Sequence, residues 1–453
     1  MLNTVCSVFL ALALAAGCQK PFVIPDPVQN PQPVVSSGEG DVTVADIDSF
    51  KAALKEAAPG TVITWADGTY SDVAIKMQAS GEEGKPIVLR AQTPGKVVFK
   101  GVSSITLQGS NLVAEGFSFT DLDTSVKGSV LTFAKGSSNC RISYCRIDGK
   151  SSKASDVDTK WVSMYGTRNE ISHCTFLEKK NMGCLLVVWM EKEIVPEHRI
   201  LNNYFYRPYT LYDDKGKARN GQESIRIGTS DFSMSPARCL VKGNHFYRCH
   251  GERAEIISNK SCFNVYEDNL FEEGEGSLTL RHGNDCEVRR NYFLSGGKSG
   301  VGGVRIIGER HLVENNVFLN LTGTEYKAAL CVVKGESAAA LNGYWTAKDC
   351  IVRNNLFVDC RQGFVINYGA RDTQNSAPEN LRVSGNKIIS SKTYMIPVNV
   401  LEGTPATAVK WDGNIIYGGS LKGVSLETVK TAPEYEDPAA AISEIRENAG
   451  ARW

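Results

Sequence analysis

Arg226, Lys260, Arg281, His282, Arg305 and His311 recur at related offsets through the middle of this sequence. They lie in segments 220–228, 252–261, 278–283 and 303–311, where apolar and polar residues alternate in the strand period. Fifty basic and fifty acidic residues cancel over the whole chain. No global field therefore draws in nucleic acid or a membrane surface, and a polyanion must be held by a local basic strip. The plain alternative is a set of solvated charges on an outer sheet. The density and recurrence of the cations argue against it, because a neutral chain has no general reason to concentrate them. A glycoside hydrolase would need paired carboxylates on adjacent strands, and the pattern does not display such a pair.

The elements that position these residues follow from a repeat. Asn203, Asn244, Asn269, Asn291, Asn316, Asn355, Asn386 and Asn414 are each followed two residues later by Phe or Ile, from Phe205 to Ile416. Cys145 before Ile147 and Cys174 before Phe176 are earlier copies with cysteine in the Asn place. A unit of 22 to 41 residues cannot bury its own apolar face, so neighbours must stack. Asn at a bend can bond to backbone of its own and the next coil, and the aromatic two positions on points inward. This predicts an all-β, right-handed, single-stranded parallel β-helix with an asparagine ladder. Lys260 lies nine residues before Asn269 and Arg281 ten before Asn291. The two should occupy nearly equivalent places on coils ~4.8 Å apart.

Residues 45–57 carry Ile47, Phe50, Leu54 and Ala57 at helical spacing, as expected of a helix capping the open N-terminal end. A C-terminal cap is expected after about residue 420, with a helix from Pro438 to Arg446. Residues 41–453 thus read as one elongated domain. The long intervals 203–244 and 316–355 mark loop insertions, which on a rigid solenoid commonly build a groove. Eleven cysteines after Cys18 form no C-x-x-C pair and read as buried thiols.

The first eighteen residues end in an apolar run too short to span a bilayer. They resemble a bacterial lipoprotein signal with Cys18 as the lipidated residue; an ordinary secretory signal is the alternative. The proline-rich stretch 19–40 reads as a tether. The expectation is a monomer anchored by lipid to the bacterial cell envelope.

Glu255-Ile256-Ile257-Ser258-Asn259-Lys260-Ser261 and Leu280-Arg281-His282-Gly283 resemble the two catalytic strands of polysaccharide lyase family 6, the alginate lyase and chondroitinase B family. The resemblance extends from the segment 86–95 to 308–311 and implies β-elimination at a uronic acid. It implies Lys260 as base, Arg281 as acid or leaving-group stabiliser, and His282 as an orienting or relaying group. A lysine base must be partly neutral, and burial beside Arg281 and Arg226 would favour that form. Arg226, Arg253, Glu223, Arg305, His311 and Lys334 are the expected substrate contacts. Several members hold calcium with one Asn and a Glu-x-Glu pair. Asn220 and Glu255 match, but Arg253 stands where the other Glu belongs, and Glu252 is one residue displaced. Either a bulge presents Glu252 to the metal, or Arg253 supplies the charge and no cofactor is required; the sequence favours the second. The implied substrate is alginate, with mannuronate-rich stretches preferred. The alternatives are a chondroitin or dermatan sulfate lyase and a non-catalytic envelope glycan-binding β-helix. A reader of sulfated chains should carry extra arginines on its late loops, and residues 333–346 offer only Lys334.

Overall fold

The computed structural model describes residues 41–453; the expected leader, the Cys18 anchor and the tether lie outside the described residues. The chain winds into three sheets of fourteen, twelve and thirteen strands, with parallel pairing between coils. Neighbours in each sheet are typically three strands apart in chain order. Each turn therefore contributes one strand to each sheet, and the result is a right-handed parallel β-helix.

The repeated Asn explains how the coils stay in register. From Asn203 to Asn386, each ladder Asn has its backbone N–H and its side-chain amide bonded to the carbonyl oxygen of the next Asn side chain, at 2.8–3.1 Å. Cys174 takes the same place with its backbone N–H on Asn203. The bend exists because the residue before each ladder position is left-handed: Asp268, Arg290, Asn315 and Asn354 have φ between 53° and 56°. Beneath the ladder, Phe205, Phe246, Phe271, Phe293, Phe318 and Phe357 stack at 4.5–4.8 Å with planes within 9°. All eleven described cysteines are free and buried.

The N-terminal end is closed by α1 (Ile47–Glu56), whose Asp46–Ser49 capping box starts it and whose Phe50 packs on Trp65. The C-terminal helix α2 (Ala439–Asn448) exists but does not close the far end. It lies along the flank of the thirteen-stranded sheet, with Ile442 and Ile445 against Leu270, Tyr292 and Leu294. Beyond it the tail runs back across earlier coils, where Ala451 bonds to Thr175 and Trp453 to the Tyr144 carbonyl. Among the described residues no helix is long and apolar enough to cross a membrane.

Candidate active site

The twelve-stranded sheet carries the cationic segments on four consecutive strands: Ile225–Ile227, Glu255–Lys260, Gly276–His282 and Val301–Ile306. Its register aligns Arg226, Ser258, Thr279 and Arg305 in one row across these strands. Ile257, Leu278 and Val304 alternate with this row and fill the core, so the row faces outward. Ser258 and Thr279 are nevertheless shielded from solvent, and their hydroxyls have no protein partner. The floor is thus polar, roofed and unsatisfied by the protein itself, as a floor that receives a polar ligand should be.

Lys260 and Arg281 stand at the end of this floor on adjacent strands, both partly exposed. A bulge between Asn259 and Lys260 changes the expected register: Lys260 pairs with His282, and Arg281 is one residue earlier. Asn259 turns inward and bonds to the His282 carbonyl and Tyr266 hydroxyl, which anchors the bulge. His282 is buried, and burial, then the charges of Arg281 and Lys260, pull its imidazole down to about 3. The ring is therefore neutral at working pH. Arg281 is held by the insertion between Val333 and Ile351: its guanidinium donates to the Gly343 and Asn342 carbonyls at 2.8 and 3.2 Å. It lies 4.1 Å from the centre of the Tyr344 ring, and burial pulls its pKa down. Arg371, from the following coil, approaches the same ring at 4.9 Å.

Beside this pair lies an acidic cluster in which Glu252 and Glu255, the expected candidates for a metal, are joined by Glu223 in place of Asn220. Glu223, Glu252 and Glu255 each offer an oxygen, all within 4.8 Å of one another, and all three residues are buried. The expected lack of grouped carboxylates on adjacent coils is thereby corrected. The physical reason is register: Glu223 and Glu255 each precede the paired residues Arg226 and Ser258 by three. Glu252 reaches them because Arg253 is left-handed, with φ 61°, and its carboxylate accepts the Gly221 N–H at 2.7 Å. Burial, then Glu223 and Glu255, push the Glu252 carboxyl up to about 8. Glu223 Oε2 has no partner, and Arg305 pairs with Glu255. Three converging hard oxygens, one of them unsatisfied, fit calcium in chemical type.

Other expected residues fall elsewhere. Arg253 does not supply charge to the floor: its guanidinium is bound to Glu275 at 2.5 Å and to the Tyr212 hydroxyl at 2.6 Å. His311 is no substrate contact. It is buried within the helix wall, its Nδ1 accepting from the Cys286 N–H and its Nε2 on the Ile307 carbonyl. It substitutes for Asn in a second ladder, where His198 plays the same part for Asn169. Asn220 is exposed on the insertion that follows Arg207, whereas Glu223 enters the cluster. Buried Arg207 explains the difference, since its guanidinium grips the Gln222 and Glu223 carbonyls. Lys334 is half-buried, its stem against Gly369. Tyr344, Arg371 and Tyr326, the last 5.6 Å from the Arg305 guanidinium, were not expected. They reach the site through loop folding, for which the repeat carries no signal.

With this geometry in view, the chain can be set beside known proteins. The family model for chondroitinase B matches residues 44–432. The polysaccharide lyase family 6 alginate lyase AlyGC is similar at 30% identity over 91% of this chain, with a TM-score of 0.78; the chain spans 56% of that protein. A mannuronic acid-specific family 6 lyase from human gut microbiota is similar at 27% identity, covering 91% of this chain and 96% of its own, with a TM-score of 0.77. The family 6 lyase Pedsa3628 from Pseudopedobacter saltans shows 25% identity over 91% of this chain and 99% of its own, at a TM-score of 0.72. No curated protein sequence matches. The match over most of the chain, on a parallel β-helix, means that the chain belongs to polysaccharide lyase family 6, the family of chondroitinase B.

Proposed function

We propose that this protein depolymerises alginate by β-elimination, with a preference for mannuronate. The observation that carries the reading is the polar-floored face on which Lys260 and Arg281, both partly exposed, stand on adjacent strands beside a neutral His282. The mannuronate preference is supported by likeness to the mannuronic acid-specific gut lyase. The leader ending in Cys18 supports a lipid-anchored place in the cell envelope.

The C5 proton of a uronate becomes removable only when the charge of the attached carboxylate is offset. Arg226, which makes no ion pair among the described residues, is the cation placed for that carboxylate, whereas Arg305 is already paired with Glu255. Calcium held by Glu223, Glu252 and Glu255 would add a further positive charge there when bound. Lys260 takes the C5 proton on its amine nitrogen. A C4–C5 double bond forms, the C4–O bond breaks, and the leaving oxygen gains a proton. Arginine is a poor proton donor, so Arg281 stabilises the developing negative charge while water delivers the proton. His282, kept neutral beside Lys260 and Arg281, does not compete for the proton.

A substrate panel of polymannuronate, polyguluronate, dermatan sulfate and polygalacturonate tests the reading. Unsaturated products are expected from polymannuronate first. Preferential cleavage of dermatan sulfate would replace alginate with a sulfated substrate, and reducing ends without unsaturation would mean hydrolysis by the acidic cluster.

A further inference from the structure

The outer face of the site sheet continues towards the N-terminal end of the solenoid, past the coil of Arg226. There the side chains form a column. Tyr165 and Trp189, each just beyond the end of its strand, stack at 5.7 Å with planes 11° apart. Lys135 approaches the Tyr165 ring at 5.7 Å, and the Arg226 guanidinium approaches the Trp189 ring at 5.6 Å. The order along the sheet is Lys135, Tyr165, Trp189, Arg226, one per coil. The Trp189 indole N–H donates to Ser163 Oγ at 3.1 Å, which itself bonds to Ser129 at 2.9 Å, so the indole is pinned to the sheet.

Every member of this column favours an anion. The ring faces are taken up by each other and by the two cations, which leaves their electropositive edges outward. Arg226 has no acidic partner among the described residues, and its Nε is buried without a hydrogen bond. The one ion-pair partner of Lys135 among the described residues is Glu191, at 3.4 Å, with the lysine side chain 72% exposed; such a surface pair is weak and readily exchanged. The coil spacing of ~4.8 Å is close to the length of one pyranose unit, so successive coils meet successive sugars.

We propose that this column is an extended binding track that holds further uronate units of the chain on the N-terminal side of the catalytic strands. The track begins at Arg226, which meets the carboxylate of the unit being cleaved; Lys135 binds a further carboxylate at the far end, and the Trp189–Tyr165 stack fixes their separation at three coils. Three coils correspond to about 14 Å, or three sugars. The inference rests on a uronate polymer as substrate. It adds that affinity grows with chain length beyond the bond being cleaved, and that Lys135 and Trp189 set this growth.

The test is titration calorimetry on Lys260→Ala protein with oligomannuronates of increasing length, alone and combined with Lys135→Ala or Trp189→Ala. Affinity should climb with length until the chain reaches Lys135. Lys135→Ala should weaken the longest oligomers about tenfold, the scale of one lost charge-assisted contact, and spare the shortest. Trp189→Ala should flatten the climb earlier. Lys135 is exposed, so its variant folds even where the tryptophan variant does not. Affinity independent of length, or an equal loss at every length, overturns the track and leaves the lyase reading standing. Failure of the parent protein to bind or cleave any uronate overturns the lyase reading itself.

Discussion

Replacing Arg281 by lysine keeps the charge and removes the fork. In the structure that fork makes two bonds to loop carbonyls, at 2.8 and 3.2 Å, and lies over Tyr344 at 4.1 Å. A lysine ammonium can reach one carbonyl at most in the same orientation and loses planar contact with the ring. If Arg281 stabilises charge on the leaving oxygen, its misplacement should resemble removal of one preorganised donor, about 2.7–4 kcal/mol, or 10²–10³ in kcat. KM should change much less, because the contact strengthens only as charge develops. Tyr344→Ala provides the graded comparison: the guanidinium and its carbonyl bonds remain, and only the ring contact goes. That contact is worth about 0.5–2 kcal/mol, so the loss in kcat should be smaller than for the lysine variant. Stopped-flow absorbance of unsaturated products gives kcat, and hydrogen exchange over residues 341–345 reports whether the loop has loosened. A lysine variant within threefold of the parent in kcat, with the loop loosened, would show that Arg281 is only a loop pin.

Chelation should lower activity at least tenfold and added calcium should restore it, while Glu223→Gln should raise the calcium needed; full activity in chelator would instead return the site to metal-independent charge neutralisation. Burial pulls His282 and His198 down to about 3 and His311 down to about 4. Below about pH 6.5 the unfolded chain therefore binds more protons than the folded one, and stability should fall as pH drops from 6.5 towards 4, at up to about 1.4 kcal/mol per pH unit for each histidine. Denaturant midpoints across that window check the slope, which His198→Asn should make shallower. Asn291→Ala removes a fully buried rung with bonds to Asn269, Tyr266, Arg289 and Asn316; it should destabilise by about 3 kcal/mol, read from the urea midpoint, with the catalytic face intact.

The solenoid was legible because its rule is local: one Asn at a bend and one aromatic two residues on, repeated until the coils stacked. The same rule carried Lys260, Arg281 and His282 to neighbouring strands. It could not show the bulge after Asn259, since a bulge is a backbone adjustment that the spacing of ladder residues only hints at. Glu223 could have been found by counting back equally from Arg226 and Ser258, once their pairing was known. The loop contacts of Tyr344 and Arg371 had no such handle, because insertions fold by their own packing. His311 was misread for a physical reason: an imidazole can accept a backbone N–H as an Asn side chain does, so a buried ladder histidine and a site histidine look alike in sequence. The C-terminal helix was foreseen, but its docking on the flank follows from apolar contacts with Leu270 and Tyr292 that lie far away along the chain.

Whether the amine of Lys260 takes a C5 proton is best measured with polymannuronate deuterated at C5, following ultraviolet absorbance of the unsaturated ends. Parent protein should produce them with a primary isotope effect, and Lys260→Ala should produce none while remaining folded and still binding the polymer. Unsaturated product formed by the Lys260→Ala protein at a rate near the parent's would contradict the account.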